Sequence, residues 1–320
     1  NDIAIAAILR HKGLLDLHYS LIFTRGIARY FLEKLQKIRK AVKSAFKAAV
    51  GRAVTLPEQF CRVVDLQGVD IFQIGNTYVL LEKTAEVIFT VMKLRRRVLD
   101  RDDAQMVDFQ YKLAEIAAKY KLVIDFHGCP KPTGMNRTWP NVLNFEAVLG
   151  LECSKGKRSL RYNVVDYDLE IPYLRMVAGA MDYTQGAMRN VAKKNYYPCY
   201  RAPMSQGTRC HQLAMYAIYF APFSMLCDSP SLYEREIECT KFIAAFPTTW
   251  DETVALDGQF GDYVAMARRK GDVWYVGVMN DWTARKVEVD LSKILGEGDF
   301  VAEVFRDGVN ADRLGEDYIR

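Results

Sequence analysis

Between Asp100 and Glu152 the chain gathers Asp100, Arg101, Asp102, Asp103, Asp125, His127, Lys131, Arg137, Trp139, Glu146 and Glu152. Carboxylates can supply the acid and the base for cleaving a glycosidic bond. Cationic groups can bind hydroxyls, and an indole offers an apolar face to a sugar ring. The same residue types also suit a solvated loop surface, so composition leaves both readings open.

The surrounding pattern says what must position these groups. Asp102 and Asp103 can cap a helix whose apolar residues are Met106, Phe109, Leu113, Ile116 and Tyr120, a 3,4,3,4 spacing. Leu122–Val123–Ile124 then reads as a buried strand ending in Asp125–Phe126–His127–Gly128. A helix, a buried strand and polar residues at the strand's C-terminal end are the grammar of an α/β barrel. Further on, residues 211–220 predict a helix, 224–227 a short strand and 232–246 more helix. After Pro247 the period changes to two. Residues 263–278 read as a hairpin turning at Lys270–Gly271–Asp272, and residues 286–291 and 300–305 as further strands. The expected fold is a partial (β/α)8 barrel over 98–247, the C-terminal half of one. An antiparallel β-sandwich that looks incomplete follows over 248–320. Residues 1–97 stay unassigned: 28–50 suggests a basic amphipathic helix, and 68–92 has no stable period.

The bulk numbers narrow the classes. A 320-residue chain that is 50% hydrophobic and 26% charged can bury a core without disulfides. The net charge is +5, and residues 1–100 hold 17 Lys and Arg against 9 Asp and Glu. No nucleic-acid motif accompanies that charge, so no nucleic-acid partner is expected, and the basic runs read as solvated. Seven cysteines with no CxxC pair argue against a zinc site or a disulfide framework. No run reaches the ~20 apolar residues of a membrane span. With Asn1 first and no leader pattern, the chain reads as a fragment or a processed product.

Several longer runs carry a resemblance. They are Asp100-Arg-Asp-Asp-Ala-Gln-Met-Val107, His127-Gly-Cys-Pro-Lys-Pro-Thr-Gly-Met-Asn-Arg-Thr-Trp-Pro-Asn141 and its continuation to Glu152. Arg175 to Gly186, Met204 to Ala214, Cys227 to Glu236 and Pro247 to Thr253 follow in order. Together, over roughly 98–295, they resemble glycoside hydrolase family 97. The resemblance implies a calcium-containing catalytic barrel between an N-terminal β-sandwich and a C-terminal β domain. It implies exo-acting cleavage of α-glycosides and a periplasmic or secreted setting. The family's inverting branch carries a base Glu directly after the His of the His127 motif. Here that position is Gly128, which points to the retaining α-galactosidase branch.

By the same resemblance Glu152 aligns with the general acid/base. Glu146 aligns with a carboxylate ligand of the calcium, with Glu152 counted as a possible second ligand. Six positions apart, the two need a break between them to share a site. His127, Lys131, Arg137 and Trp139 are the expected substrate-binding residues. The nucleophilic Asp of the family falls at Arg97, on a strand expected over Lys93–Leu99. Asp100 or Asp102 are the available substitutes. Three successive arginines do not suit a central barrel strand. The sequence therefore carries two expectations: an α-galactosidase, or a catalytically inactive carbohydrate-binding or structural remnant of one. The abrupt loss of pattern further suggests that residues 1–97 come from a shifted reading frame.

Overall fold

The computed structural model describes residues 4–11, 61–66, 69–74, 77–80, 88–93 and 102–320. The expected helix over 28–50, Arg97 and Asp100 lie outside the described residues. The chain forms two compact units. One comprises Leu15–Ala147, the other Asn1–Leu14 together with Val148–Arg320.

The first unit is built on a mixed sheet. Its strands are β2 (Cys61–Leu66), β3 (Val69–Ile74), β4 (Thr77–Leu80), β5 (Ile88–Lys93), β6 (Leu122–His127) and β7 (Val142–Phe145), adjacent in that order. Strands β2 to β5 pair antiparallel, while β5, β6 and β7 run parallel. Helix α1 (Ala104–Lys119) joins β5 to β6, so β5-α1-β6 is a β-α-β unit. A short helix α2 (Met135–Thr138) precedes β7. The strand before α1 ends at Lys93, where the expectation had it begin. Ile88, Phe89, Val91 and Met92 meet the demand of a parallel strand for apolar residues; the arginine run does not.

Asp103 is the N-cap of α1, and its carboxylate accepts from the Met106 backbone N–H at 3.1 Å. The helix buries Met106, Gln110, Leu113, Ala114 and Ala117, a stripe turned slightly from the expected one. Small Ala114 and Ala117 face inward, which lets the helix approach the sheet, and Tyr120 is left about half exposed. Leu113, Ala114 and Ala117 pack with Leu122, Ile124, Phe126, Val142 and Phe145. The Asn141 amide donates to Ala114 O and Leu122 O, both at 3.1 Å, tying helix end to strand start.

The second unit holds a six-stranded antiparallel sheet in the order β10-β11-β12-β1-β13-β14. These strands are β10 (Glu252–Gln259), β11 (Tyr263–Lys270), β12 (Val273–Asn280), β1 (Ala4–His11), β13 (Phe300–Asp307) and β14 (Tyr318–Ile319); two residues each make up β8 (Asn190–Val191) and β9 (Ser205–Gln206). The β11–β12 hairpin turns at Gly271, whose φ of +55° an L side chain would strain. The helices are α3 (Val164–Leu174), α4 (Arg209–Ile218), α5 (Pro230–Arg235) and α6 (Ile237–Ala244). Helix α4 lies on one face of the sheet. A Cβ on Gly277 would sit 2.7 Å from Ala214 O, so only glycine lets strand and helix come that close.

Three expectations need correction here. Among the described residues one sheet covered by α4 replaces the two sheets of a sandwich: a helix buries the inner face as well as a second sheet can. Residues 224–227 are irregular rather than a strand. Residues 286–291 alternate in exposure as a half-buried strand does, yet pair with no neighbouring strand up to Asp290, and a 3-10 turn starts at Leu291. The central place such a segment could fill is taken by β1, which arrives from the N-terminus and pairs with both β12 and β13.

Candidate active site

In the first unit, Asp125 and His127 stand two residues apart on β6, so both side chains leave the same face of the strand. Glu146 follows the last residue of the parallel neighbour β7. The three therefore meet at the C-terminal ends of adjacent parallel strands, where chain turns leave the sheet and side chains can converge. His127 Nε2 lies 3.4 Å from Asp125 Oδ2, and Nδ1 lies 3.7 Å from Glu146 Oε1. Asp125 is 3% exposed and the His127 side chain 8%, so the imidazole is held between two carboxylates with little water. The backbone N–H of Gly128, at φ +59°, donates to Glu146 Oε2 at 2.5 Å. Ala147 takes a positive φ of +36°, an unusual conformation for a residue with a Cβ, directly after Glu146.

The other residues expected around His127 sit differently. Lys131 and Arg137 are exposed, the latter in the last turn of α2. Trp139 is half-buried and packs against the hydrophobic core of this unit, which leaves less of its face to a sugar. Asp102 is exposed just ahead of the α1 N-cap.

Glu152 belongs to the second unit, in a 3-10 turn over Leu151–Lys155. It is half-buried, and its Oε2 lies 3.1 Å from the Thr184 hydroxyl. The carboxylate folds back over Gly150: a Cβ there would stand 2.4 Å from Glu152 Oε2 and 2.9 Å from Tyr183 O. Leu151 N–H donates to that same Tyr183 O at 3.1 Å, so residues 150–152 are fastened to residues 183–184. Thr184 has φ +64°, a strained conformation for a β-branched residue that persists only where its surroundings enforce it. Beside the turn lies a narrow cleft with a cavity volume of about 10 Å³, lined by Leu151, Lys155, Pro203, Met204, Ser205 and Asp228, among others. Burial pushes the Cys227 thiol at its wall up to about 12, with the negative charges of Asp228 and Glu152 adding to the effect and Lys155 opposing it.

Reading the sequence missed a second set of polar residues below this turn. Asp168, wholly buried on α3, accepts from the Tyr183 hydroxyl, and its Oδ2 lies 3.2 Å from His211 Nε2. Tyr219 donates to the Asp168 backbone carbonyl at 2.9 Å. Burial raises the Asp168 carboxyl above its ordinary value, although His211 and Tyr183 pull it down. Arg209, also buried, donates to Asn190 Oδ1, Met188 O and Glu236 Oε2. The Gln212 side chain accepts from the N–H groups of Gly186 and Ala187. The sequence signal was present: Asp182–Gly186 and Arg209–Gln212 both lie in the resembling runs.

Comparison with known proteins adds to this geometry. A model described as glycoside hydrolase 97 matches residues 68–148, and one described as glycosyl-hydrolase 97 C-terminal, oligomerisation, matches residues 249–320. The match thus begins before residue 98 and runs past residue 295, the limits expected from the motifs. A retaining α-galactosidase of Bacteroides thetaiotaomicron is 60% identical over 220 residues, 69% of this chain and 33% of that protein. A probable retaining α-galactosidase of Streptomyces bingchenggensis is 28% identical over 210 residues, 66% of this chain and 30% of that one. Among solved structures, a glycoside hydrolase family 97 enzyme from Pseudoalteromonas sp. strain K8 in complex with acarbose matches with a TM-score of 0.57. The identity is 27%, over 68% of this chain and 34% of that one. The same enzyme in complex with panose matches equally. The chain spans about a third of the length of these relatives. With two family models and a relative of such high identity agreeing, this chain belongs to glycoside hydrolase family 97.

Proposed function

We propose that the chain carries part of the catalytic machinery of a calcium-dependent, exo-acting, retaining α-galactosidase. The observation that carries this reading is Glu152, half-buried and fastened by Gly150 and Thr184 at the position where the family places its acid/base. In its protonated form Glu152 would give its proton to the glycosidic oxygen as the bond to the departing sugar breaks. In the second half-reaction it would take the proton of the attacking water. The parallel β5-α1-β6-β7 run supports reading this unit as part of a (β/α)8 barrel. His127, held between two carboxylates, would donate to sugar hydroxyls, with Lys131, Arg137 and Trp139 further out.

Calcium takes oxygen ligands. Glu146 suits it: Oε2 is fixed by the Gly128 N–H, while Oε1 faces His127 at a distance longer than a hydrogen bond and keeps lone pairs for a cation. Glu146 would hold the ion. The ion would supply positive charge for orienting sugar hydroxyls. Export to the periplasm or medium belongs to the same reading.

One observation favours a second reading, a catalytically inactive carbohydrate-binding remnant. Arg97 stands where the nucleophilic carboxylate should be. Without that carboxylate the covalent glycosyl-enzyme cannot form, and loss of a nucleophile costs on the order of 10⁶ in kcat in a well-studied hydrolase. Asp100 or Asp102 would have to replace it. A shifted reading frame within residues 1–97 would account for the substitution, although the family match already covers residues 68–97; sequencing the source gene tests this, and an intact frame with transcript support would refute it. Hydrolysis of p-nitrophenyl α-galactoside with and without calcium, beside Glu152→Gln, separates the two functions. Calcium-dependent release that Glu152→Gln abolishes supports the galactosidase. No release by folded protein supports the remnant.

A further inference from the structure

Residues 182–188 form neither helix nor strand, yet Tyr183, Gln185, Ala187 and Met188 are buried. Buried backbone outside a helix or sheet must find its hydrogen-bond partners one group at a time. Here side chains supply them. Gln212 accepts from the N–H groups of Gly186 and Ala187, Tyr216 donates to Gln185 O at 3.2 Å, and Tyr233 donates to Gly186 O at 2.8 Å. Asp228 accepts from the Met188 N–H at 2.6 Å, and Arg209 donates to Met188 O at 2.7 Å. Asp168 accepts from the Tyr183 hydroxyl. Helices α3, α4 and α5 thus all turn polar side chains towards one irregular stretch, and together they make it rigid.

Thr184 is out of keeping with the rest of that stretch. It is half-buried and holds φ at +64°, where a β-branched residue is an outlier and glycine is at ease. What threonine brings to such a position, and glycine does not, is its hydroxyl. The single hydroxyl proton has two acceptors, Tyr183 O at 2.5 Å and Glu152 Oε2 at 3.1 Å. Tyr183 O already accepts from the Leu151 N–H at 3.1 Å. The contact that the hydroxyl adds to the scaffold is therefore the one to Glu152.

We infer that Thr184 is a positioning residue for Glu152, and that the stretch around it is a platform that holds its hydroxyl against Oε2 in spite of the backbone strain. For its catalytic meaning this rests on the reading of Glu152 as the acid/base. An acid/base must bring its carboxyl within hydrogen-bond reach of the glycosidic oxygen, and a carboxylate on a short turn rotates unless one oxygen is tied. Thr184 supplies the tie. It acts through Glu152 and takes no part in the proton transfer itself.

The test compares Thr184→Gly, Thr184→Ser and Thr184→Val in the full chain. Urea unfolding reads stability. The carboxyl carbon NMR signal of Glu152, in protein labelled at glutamate and assigned by its loss in Glu152→Gln, reads the surroundings of the carboxylate. Thr184→Gly relieves the strain and removes the hydroxyl, so it is expected to unfold at the native urea concentration or above while the Glu152 signal shifts. Thr184→Val should shift the signal in the same way, and Thr184→Ser, which keeps the hydroxyl, should leave it in place. A threonine that merely serves the fold gives the opposite result for glycine. A lower midpoint for Thr184→Gly, or a Glu152 signal that stays in place, overturns the inference. Hydrolysis of p-nitrophenyl α-galactoside separates it from the reading beneath. If the native chain turns over, Thr184→Gly should lower kcat about tenfold or more with KM little changed, and Thr184→Ser should restore it. A folded native chain without turnover, but with the expected NMR pattern, removes the catalytic reading and leaves Thr184 as the tie on Glu152.

Discussion

Two single positions decide whether the Glu152 turn keeps its shape. At Gly150 a methyl group would meet Glu152 Oε2 at 2.4 Å and the Tyr183 carbonyl at 2.9 Å. The carboxylate can swing away, but the carbonyl is backbone. Gly150→Ala is therefore expected to cost about 1–3 kcal/mol, read as a lower Tm, and to move Glu152 off the Thr184 hydroxyl. Unchanged stability would mean that the turn is looser than its contacts suggest. Asp168 makes a prediction in pH. Burial raises its folded carboxyl above the ordinary 3.8. Below that value both states are protonated and nothing is lost. As pH rises past about 4 the unfolded chain ionises freely and the folded one lags, so native stability falls until the raised value is passed. Asp168→Asn keeps the shape and cannot titrate. Its stability should gain on the native protein as pH rises from about 4, measured by urea unfolding across pH. A constant gap between the two would refute the assignment.

At the scale of elements, helix α4 is held at its C-terminus by an arginine from the sheet beneath. Arg268 is 3% exposed; its Nε donates to Ala217 O at 2.7 Å and its Nη2 to Ile218 O at 2.8 Å. These carbonyls have no partner within the helix, and a cation there also answers the helix dipole. Burial alone lowers the guanidinium to about 10, which is still charged at neutral pH. Arg268→Met keeps the apolar stem but leaves both carbonyls buried without donors. It should cost about 2–4 kcal/mol in urea unfolding. A loss under 0.5 kcal/mol would show the cap to be dispensable. Strand β6 shows the opposite economy: its apolar residues build the core, and its last residues are left to the site.

The whole molecule depends on a pairing between distant parts of the chain. Strand β1 sits between β12 and β13, with Ala6, Ala7, Ile8 and Leu9 all buried. Removing residues 1–11 would split the sheet and open two new edges. The truncated protein should lose cooperative melting or aggregate on size-exclusion chromatography, and Ile8→Ala alone should cost about 2–4 kcal/mol. A truncated chain that melts as the native one does would show that β1 is no part of the folded sheet.

Local chemistry made much of this legible in the sequence. Asp103 caps α1 because a carboxylate ahead of an apolar period satisfies the first free N–H groups. Gly271 turns the hairpin because it tolerates positive φ. His127 ends its strand because the apolar run stops there, and the long motifs identify the family because their order is specific. What depends on partners far along the chain could not be read in that way. Residues 286–291 have the alternation of a strand, but Val289 and Leu291 pack on an apolar face of the sheet instead of joining its ladder. Trp139 has the composition of a sugar platform, and only the tertiary structure shows that part of it rests on the core. Thr184 at positive φ and the buried Asp168–His211 pair arise from contacts that no spacing encodes. Periodicity records which face of an element turns inward; only the tertiary structure decides what waits there.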